Sequence, residues 1–394
     1  MQLDWLTSQV PDGDQVVTIA LDATRDSEHG YQAVLTRWRD IRRSLEGRGV
    51  EAQTLDHVDE QIRVPTHASG KHGRVLVVGP DGVVIDRVLA EPPVTDAGTL
   101  GIDAFALAAV AEGTVAYLLA EIDRTGADLT QQHHALMEYE AGDELDSVEG
   151  DHDVINKVRR AGMASRRLQS RAEDSWERNA ETVAAELSRL VSERHPELLL
   201  LTGDVRAVSL VRERLSTEAA GIVTVLDGGS RSAGVNEQAF ERKLHEALDI
   251  FRARRREEVL DRFRQEEGRE GTATQSVEDV VTALARGQVE ELIVRLDSIG
   301  PNSALRMRTL WVGDSALQIG TTAEVVADLG AEEPREVRAD LAIGRAAAEQ
   351  SAGITLVDEA SVALADGLGA LLRWRDAATP SEHAFKSSGD TSRT

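Results

Sequence analysis

Short apolar runs, three to eight residues long, recur down this chain between long charged stretches. Runs of that length suit buried strands, and the stretches between them are long enough for helices. Their alternation points to an α/β (α+β) protein. The strand candidates are residues 74–78 and 83–85, joined by Gly79-Pro80-Asp81-Gly82, then 115–122, 198–201, 222–226, 289–295, 310–312 and 354–357. The Asp-Gly pair favours a tight hairpin turn in the first of these. Residues 31–49 read as an amphipathic helix, with Leu35, Trp38, Ile41 and Leu45 on one stripe and Gly47 and Gly49 as a stop. Further helices are expected at about 173–193, 205–215, 236–267, 277–286 and 337–351, and the acidic stretch 138–151 reads as a loop.

With 394 residues, two to four domains are expected. Breaks near Thr114 and at the linker 266–274 give an N-terminal α/β domain over 1–112, a middle domain over 113–270 and a C-terminal domain over 275–376. Residues 377–394 are rich in Ser and Thr and read as a disordered tail. Aromatics make up only 3% of the chain, so its cores must rest on Leu, Val, Ile and Ala. Cysteine is absent, which excludes disulfides, thiolate zinc sites and thiol catalysis. No cofactor and no metal site is expected. The first residues have neither a basic n-region nor an apolar h-region, and no apolar run reaches the roughly 18 residues of a membrane span. A cytoplasmic protein with no membrane contact is expected.

The formal net charge is −25, so the chain as a whole is repelled by nucleic acid. One segment opposes that field. Residues 154–172 hold Lys157, Arg159, Arg160, Arg166, Arg167 and Arg171 and no acid, hence a local charge of +6. Acids flank it on both sides, from Glu138 to Asp151 and again at Glu173 and Asp174. One reading is a solvated basic helix start paired with those acids. The other is a phosphate-binding loop, with Gly162 and its small neighbours letting the backbone approach a crowded target. The segment has no aromatic residue for stacking on single-stranded bases, and phosphate contacts position a protein without reading sequence.

The layout of this segment resembles the archaeal and eukaryotic class-one peptide chain release factors. In that family a basic loop carrying Gly-Gly-Gln is followed at once by a long charged helix; here Lys157-Val158-Arg159-Arg160-Ala161-Gly162-Met163 precedes the charged stretch 166–179. Residues 280–294 are similar to the helix-then-strand opening of the family's C-terminal domain, and Gly367-Leu368-Gly369-Ala370-Leu371-Leu372-Arg373-Trp374 resembles its closing motif. The nearest resemblance is to the bacterial branch, in the actinobacterial group related to the ribosome hibernation factor Balon. It extends over residues 114–375 and reaches the N-terminal domain only by order.

The resemblance implies a ribonuclease-H-like middle domain and a C-terminal domain similar to the kink-turn-binding ribosomal proteins. It implies the 70S ribosome as partner, with Lys157, Arg159, Arg160, Ala161, Gly162, Met163, Arg166, Arg167 and Arg171 reaching rRNA near the peptidyl-transferase centre from the tRNA A site. Elongation factor Tu is a further candidate partner, and DNA is not one. Ala161-Gly162-Met163 falls on the Gly-Gly-Gln position, and Met163 has no strong hydrogen-bonding group with which to orient water. The 1–112 domain has no Asn-Ile-Lys-Ser for stop-codon reading. The expectation is therefore a factor that occupies the A site of idle or stalled ribosomes without catalytic residues or peptide release. The alternatives are a release or rescue factor that hydrolyses peptidyl-tRNA with another group, and an acidic scaffold that never meets RNA.

Other features have sharp and bland readings. Glu121, Asp123, Asp128 and Asp204 at strand ends suggest a Mg²⁺ nuclease site, or turns and solvated carboxylates. Adjacent His133 and His134 point to opposite faces of a strand. The loop 228–234 could cradle a phosphate ahead of the next helix, or simply connect strand to helix. Arg252, Arg254, Arg255 and Arg256 mark either an RNA contact or a solvated helix face.

Overall fold

A computed structural model of the chain describes residues 3–10, 15–25, 29–66, 68, 70–135, 143–149, 163–229, 236–269, 271–376 and 379. Its helices and strands form two compact units, Met1–Gly113 with Arg254–Thr394, and Thr114–Ala253. The mixed α/β class expected from the sequence is what the chain adopts. Among the described residues no helix is long and apolar enough to cross a membrane.

In the first unit, one sheet has the order Gly82–Leu89, Gly73–Gly79, Val17–Asp22, Ala97–Leu100, all antiparallel. Val17, Ile19 and Leu21 face the helices Gly30–Glu46 and Ala52–Arg63, where Trp38, Ile41, Leu45, Leu55 and Val58 bury. On the other face, Ala20, Val75 and Val77 meet the helix Ala104–Gly113. A second sheet has the order Ala273–Gln275, Leu368–Leu372, Val289–Arg295, Gly353–Val357, with the last two strands parallel. The helices Val277–Ala285 and Ala339–Glu349 supply its apolar cover. Phe263 lies against the other face, and a Cβ on Gly369 would come within 3.0 Å of its ring. That close approach accounts for glycine in the closing motif.

Asp103 caps the helix Ala104–Gly113, accepting from the amides of Phe105 and Ala106, both at 3.1 Å, and from the Thr99 hydroxyl at 3.2 Å. Burial raises its pKa, and the carboxylate of Asp340 adds to the rise against the lowering by these hydrogen bonds and Arg306. A raised acid keeps its proton longer in the folded than in the unfolded chain. Its contribution to stability therefore falls as pH climbs from the ordinary carboxylate range toward the folded value. Asp103→Asn keeps a capping oxygen and removes the ionisation. We expect urea melts of this variant to gain on wild type between pH 4 and pH 7; an unchanged difference across that span would contradict the account.

The second unit is one five-stranded sheet, in the order Asp143–Glu149, Gly126–Ala135, Val115–Ile122, Leu198–Gly203, Val223–Val225. The first three strands are an antiparallel meander, and Leu198–Gly203 runs parallel to both its neighbours. One face buries Leu118, Ala120, Leu199 and Leu201 under Val183, Ala184, Leu187 and Val191 of the helix Met163–Arg194. The opposite face buries Tyr117, Leu119, Leu198 and Leu200 with Leu244 and Leu248, on the first half of the helix Glu237–Gly268.

Two expectations fail here. The stretch read as an acidic loop contains the edge strand Asp143–Glu149, paired with Gly126–Ala135. Charged residues are common on strands at a sheet edge, so an acidic composition suits an edge strand as well as a loop. The long helix begins at Met163 rather than near residue 173. Arg, Ala, Leu and Gln are strong helix formers, so residues 163–172 extend the helix without any apolar stripe to reveal it.

Candidate nucleic-acid interface

Lys157, Arg159, Arg160, Ala161 and Gly162 lie outside the described residues, as do the side chains of Met163, Arg166, Arg167 and Arg171. What the structure establishes is the backbone that carries the latter four. They sit in the opening turns of a 32-residue helix, which at 1.5 Å per residue is about 48 Å long.

Side chains of this helix are described from Ser175 onward, and the first large one is Trp176, 4% exposed. It sits where the parallel strands Val115–Ile122 and Leu198–Gly203 end. Two guanidinium groups lie over its ring, Arg124 at 4.5 Å and Arg206 at 5.4 Å from the centroid. Arg124 Nη2 also reaches Asp204 Oδ2 at 3.1 Å. Asp204 in turn caps the helix Val205–Arg212 through the amides of Arg206 and Ala207. Asn179 Nδ2 donates to the Arg124 carbonyl at 3.0 Å. Behind this layer Ile122, Ala180, Val183, Ala207 and Val211 close a small cavity.

The backbone beneath is tight. Gly203 has φ +120°, and its amide neighbour Asp204 donates to the Ile122 carbonyl at 2.9 Å. A Cβ at residue 203 would fall 2.0 Å from that same carbonyl oxygen. Only glycine permits the two strand ends to approach this closely.

The strand-end carboxylates have structural duties. Asp123 accepts from the Thr125 amide and hydroxyl and from the Gly126 amide, closing the turn. Asp204 is the helix cap and the partner of Arg124. Glu121 and Asp128 are cross-strand neighbours. Among the described residues no group of three His, Asp or Glu is placed to hold a metal ion. His133 and His134 are in the strand Gly126–Ala135, with side chains outside the described set.

The Arg252–Arg256 run is committed within the protein. Arg252 pairs with Asp249 and Arg254 with Glu258. Arg255 donates to the carbonyls of Ala111 and Glu112 at the end of their helix, and Arg256 pairs with Glu112. Burial raises the Glu112 pKa, while the Arg256 and Arg255 charges pull it down. In the 228–234 loop, Gly229 donates to Thr202 Oγ1 at 3.0 Å, and a Cβ there would meet Thr202 Cγ2 at 2.5 Å. That end of the loop is a packed connection, and residues 230–234 lie outside the described residues.

The Trp176 cluster escaped the reading of the sequence. Its signal was one of the five tryptophans of an aromatic-poor chain, placed one turn ahead of the apolar stripe Ala180, Val183 and Leu187.

Comparison with known proteins places this unit. Residues 116–269 match the family described as Bacterial archaeo-eukaryotic release factor family 2. Over that span the chain is similar to the family. The matched span holds the five-stranded sheet, the basic stretch and the helix Glu237–Gly268. Uncharacterized proteins from two strains of Mycobacterium tuberculosis are 27% identical over 367 residues, covering 91% of this chain and 92% of each relative. Among solved structures, a translation termination-like factor of S. cerevisiae involved in RNA quality control aligns with 96% of this chain and 94% of its own, at 8% identity and TM-score 0.39. The Pelota protein of Archaeoglobus fulgidus aligns with 95% of this chain and 92% of its own, at 12% identity and TM-score 0.34.

Proposed function

We propose that this protein binds the ribosome and occupies the tRNA A site of idle or stalled particles, protecting them without releasing peptide. One observation carries the reading. A +6 segment with no acid lies inside the span similar to the release-factor family, in a chain whose net charge is −25. The overall charge repels RNA, so the contact must be local, and 154–172 is where phosphates would be met. Ala161-Gly162-Met163 stands where the release factors have Gly-Gly-Gln. Met163 offers only a weakly accepting thioether, so the group that orients water is missing. Occupation without hydrolysis follows, as in the hibernation factors of the actinobacterial branch. The 70S ribosome is the partner in this reading. Elongation factor Tu is the candidate for delivery.

Cosedimentation with 70S ribosomes across a salt series tests it. With six basic side chains engaged, log Kobs should fall by about 4–5 for each tenfold rise in salt. A release assay on programmed ribosomes should give no peptide above background. Absence of pelleting at low salt sinks the proposal, and release that requires the 154–172 segment would make the protein a hydrolase instead.

A further inference from the structure

The cluster around Trp176 joins the long helix to the point where the strands Val115–Ile122 and Leu198–Gly203 end. From Ala180 onward the helix is held by apolar packing, through Ala180, Val183, Ala184, Leu187 and Val191. One turn earlier the contacts change in kind, to a tryptophan flanked by two arginines and a carboxylate. We propose that the Arg124–Trp176–Arg206 stack is a clasp that fixes the direction in which the helix Met163–Arg194 leaves the sheet, and so where its basic opening turns meet RNA. The three are positioning residues that touch no RNA themselves. The inference rests on the ribosome-binding reading for its consequence, though not for its geometry.

The leverage is considerable. Trp176 is 13 residues beyond Met163 (176 − 163), so the helix tip lies about 20 Å from the clasp. A tilt of about 15° there moves the tip by about 5 Å. Charge-assisted hydrogen bonds to phosphate act over about 2.7–2.9 Å, so such a tilt takes the basic turns out of register. The clasp also depends on arginine chemistry. Arg124 lies over the indole and pairs with Asp204 at the same time. A planar guanidinium does both, whereas a lysine ammonium is a point charge that must choose. Asp204 is fixed by the amides it caps, and Arg124 is tied at its own carbonyl by Asn179 of the same helix. The clasp thus closes on itself, from strand end to helix and back.

Arg124→Lys in the full chain tests the clasp, because it keeps the charge and removes the plane. Amide hydrogen exchange over residues 163–175 should rise roughly tenfold, with residues 183–191 unchanged, as expected for losing about 1.4 kcal/mol of stacking and pairing. Ribosome affinity should fall by a similar factor, and Arg124→Ala should be no worse than Arg124→Lys. Wild-type exchange in Arg124→Lys overturns the clasp whatever binding does. Wild-type binding in Arg124→Lys with loss confined to Arg124→Ala overturns it too, since charge alone would then matter and Arg124 would be a phosphate contact. If the unmodified protein fails to pellet, the ribosome reading falls while the exchange result still decides the clasp.

Discussion

Changing Arg159, Arg160, Arg166 and Arg167 together to Glu should remove the protein from the ribosome pellet. Residues 154–172 carry +6, and the four substitutions shift that by −8 to −2. The segment then has the sign of the rest of the chain, and no part of 154–172 opposes the repulsion of RNA. Each phosphate contact made by Lys or Arg releases counterions, so losing four of six removes most of the electrostatic gain. A drop of roughly a thousandfold or more at low salt is expected. The salt dependence should flatten in parallel, which separates lost phosphate contacts from a general weakening. Stability should not follow. Arg166 and Arg167 lie near the start of the helix Met163–Arg194, where acidic side chains are favoured by the helix dipole. Thermal melts of the variant should therefore match or exceed wild type. Pelleting of the variant at the wild-type level would mean that the anchor lies elsewhere.

The charge count, the glycine within the segment and the family layout are all legible in the sequence. Much of the fold was legible for similar local reasons. The hairpin Gly73–Gly79 to Gly82–Leu89 forms within the Gly-Pro-Asp-Gly stretch, though its two turn residues are Pro80 and Asp81 and Gly82 already pairs with Gly79, and Val115–Ile122 is apolar along most of its length. What escaped is non-local. Val17–Asp22 is buried on both faces and so lacks the alternation that announces a strand. Asp143–Glu149 is a strand because Gly126–Ala135 pairs with it, not because its own acidic residues favour one. The Trp176 cluster draws on the turn after Ile122, the helix at 176–179 and the cap at Asp204. Nothing in the spacing of those residues reveals that the parallel register Ile122↔Gly203 brings them together.

That register depends on a single missing side chain, and Gly203→Ala should be the most damaging point change in the second unit. Two costs add. Residue 203 has φ +120°, a conformation in which an L side chain is strained by about 1–3 kcal/mol. The new Cβ would also lie 2.0 Å from the Ile122 carbonyl oxygen and 2.9 Å from its carbonyl carbon and amide nitrogen. These are backbone atoms of a strand paired on both sides, so they cannot step aside as the tip of a flexible side chain would. Relief requires the strand ends to separate, which breaks the hydrogen bond from the Asp204 amide to the same carbonyl. Together we expect a loss on the order of 3–5 kcal/mol, read as a lower urea midpoint for the second unit. The displacement also carries Asp204 away from Arg124 and opens the clasp. Variant that remains folded at low temperature should then show the fast exchange over residues 163–175 expected of Arg124→Lys. A Gly203→Ala protein that melts with wild type would show that the strand ends have slack, and would leave the direction of the basic helix without its structural cause.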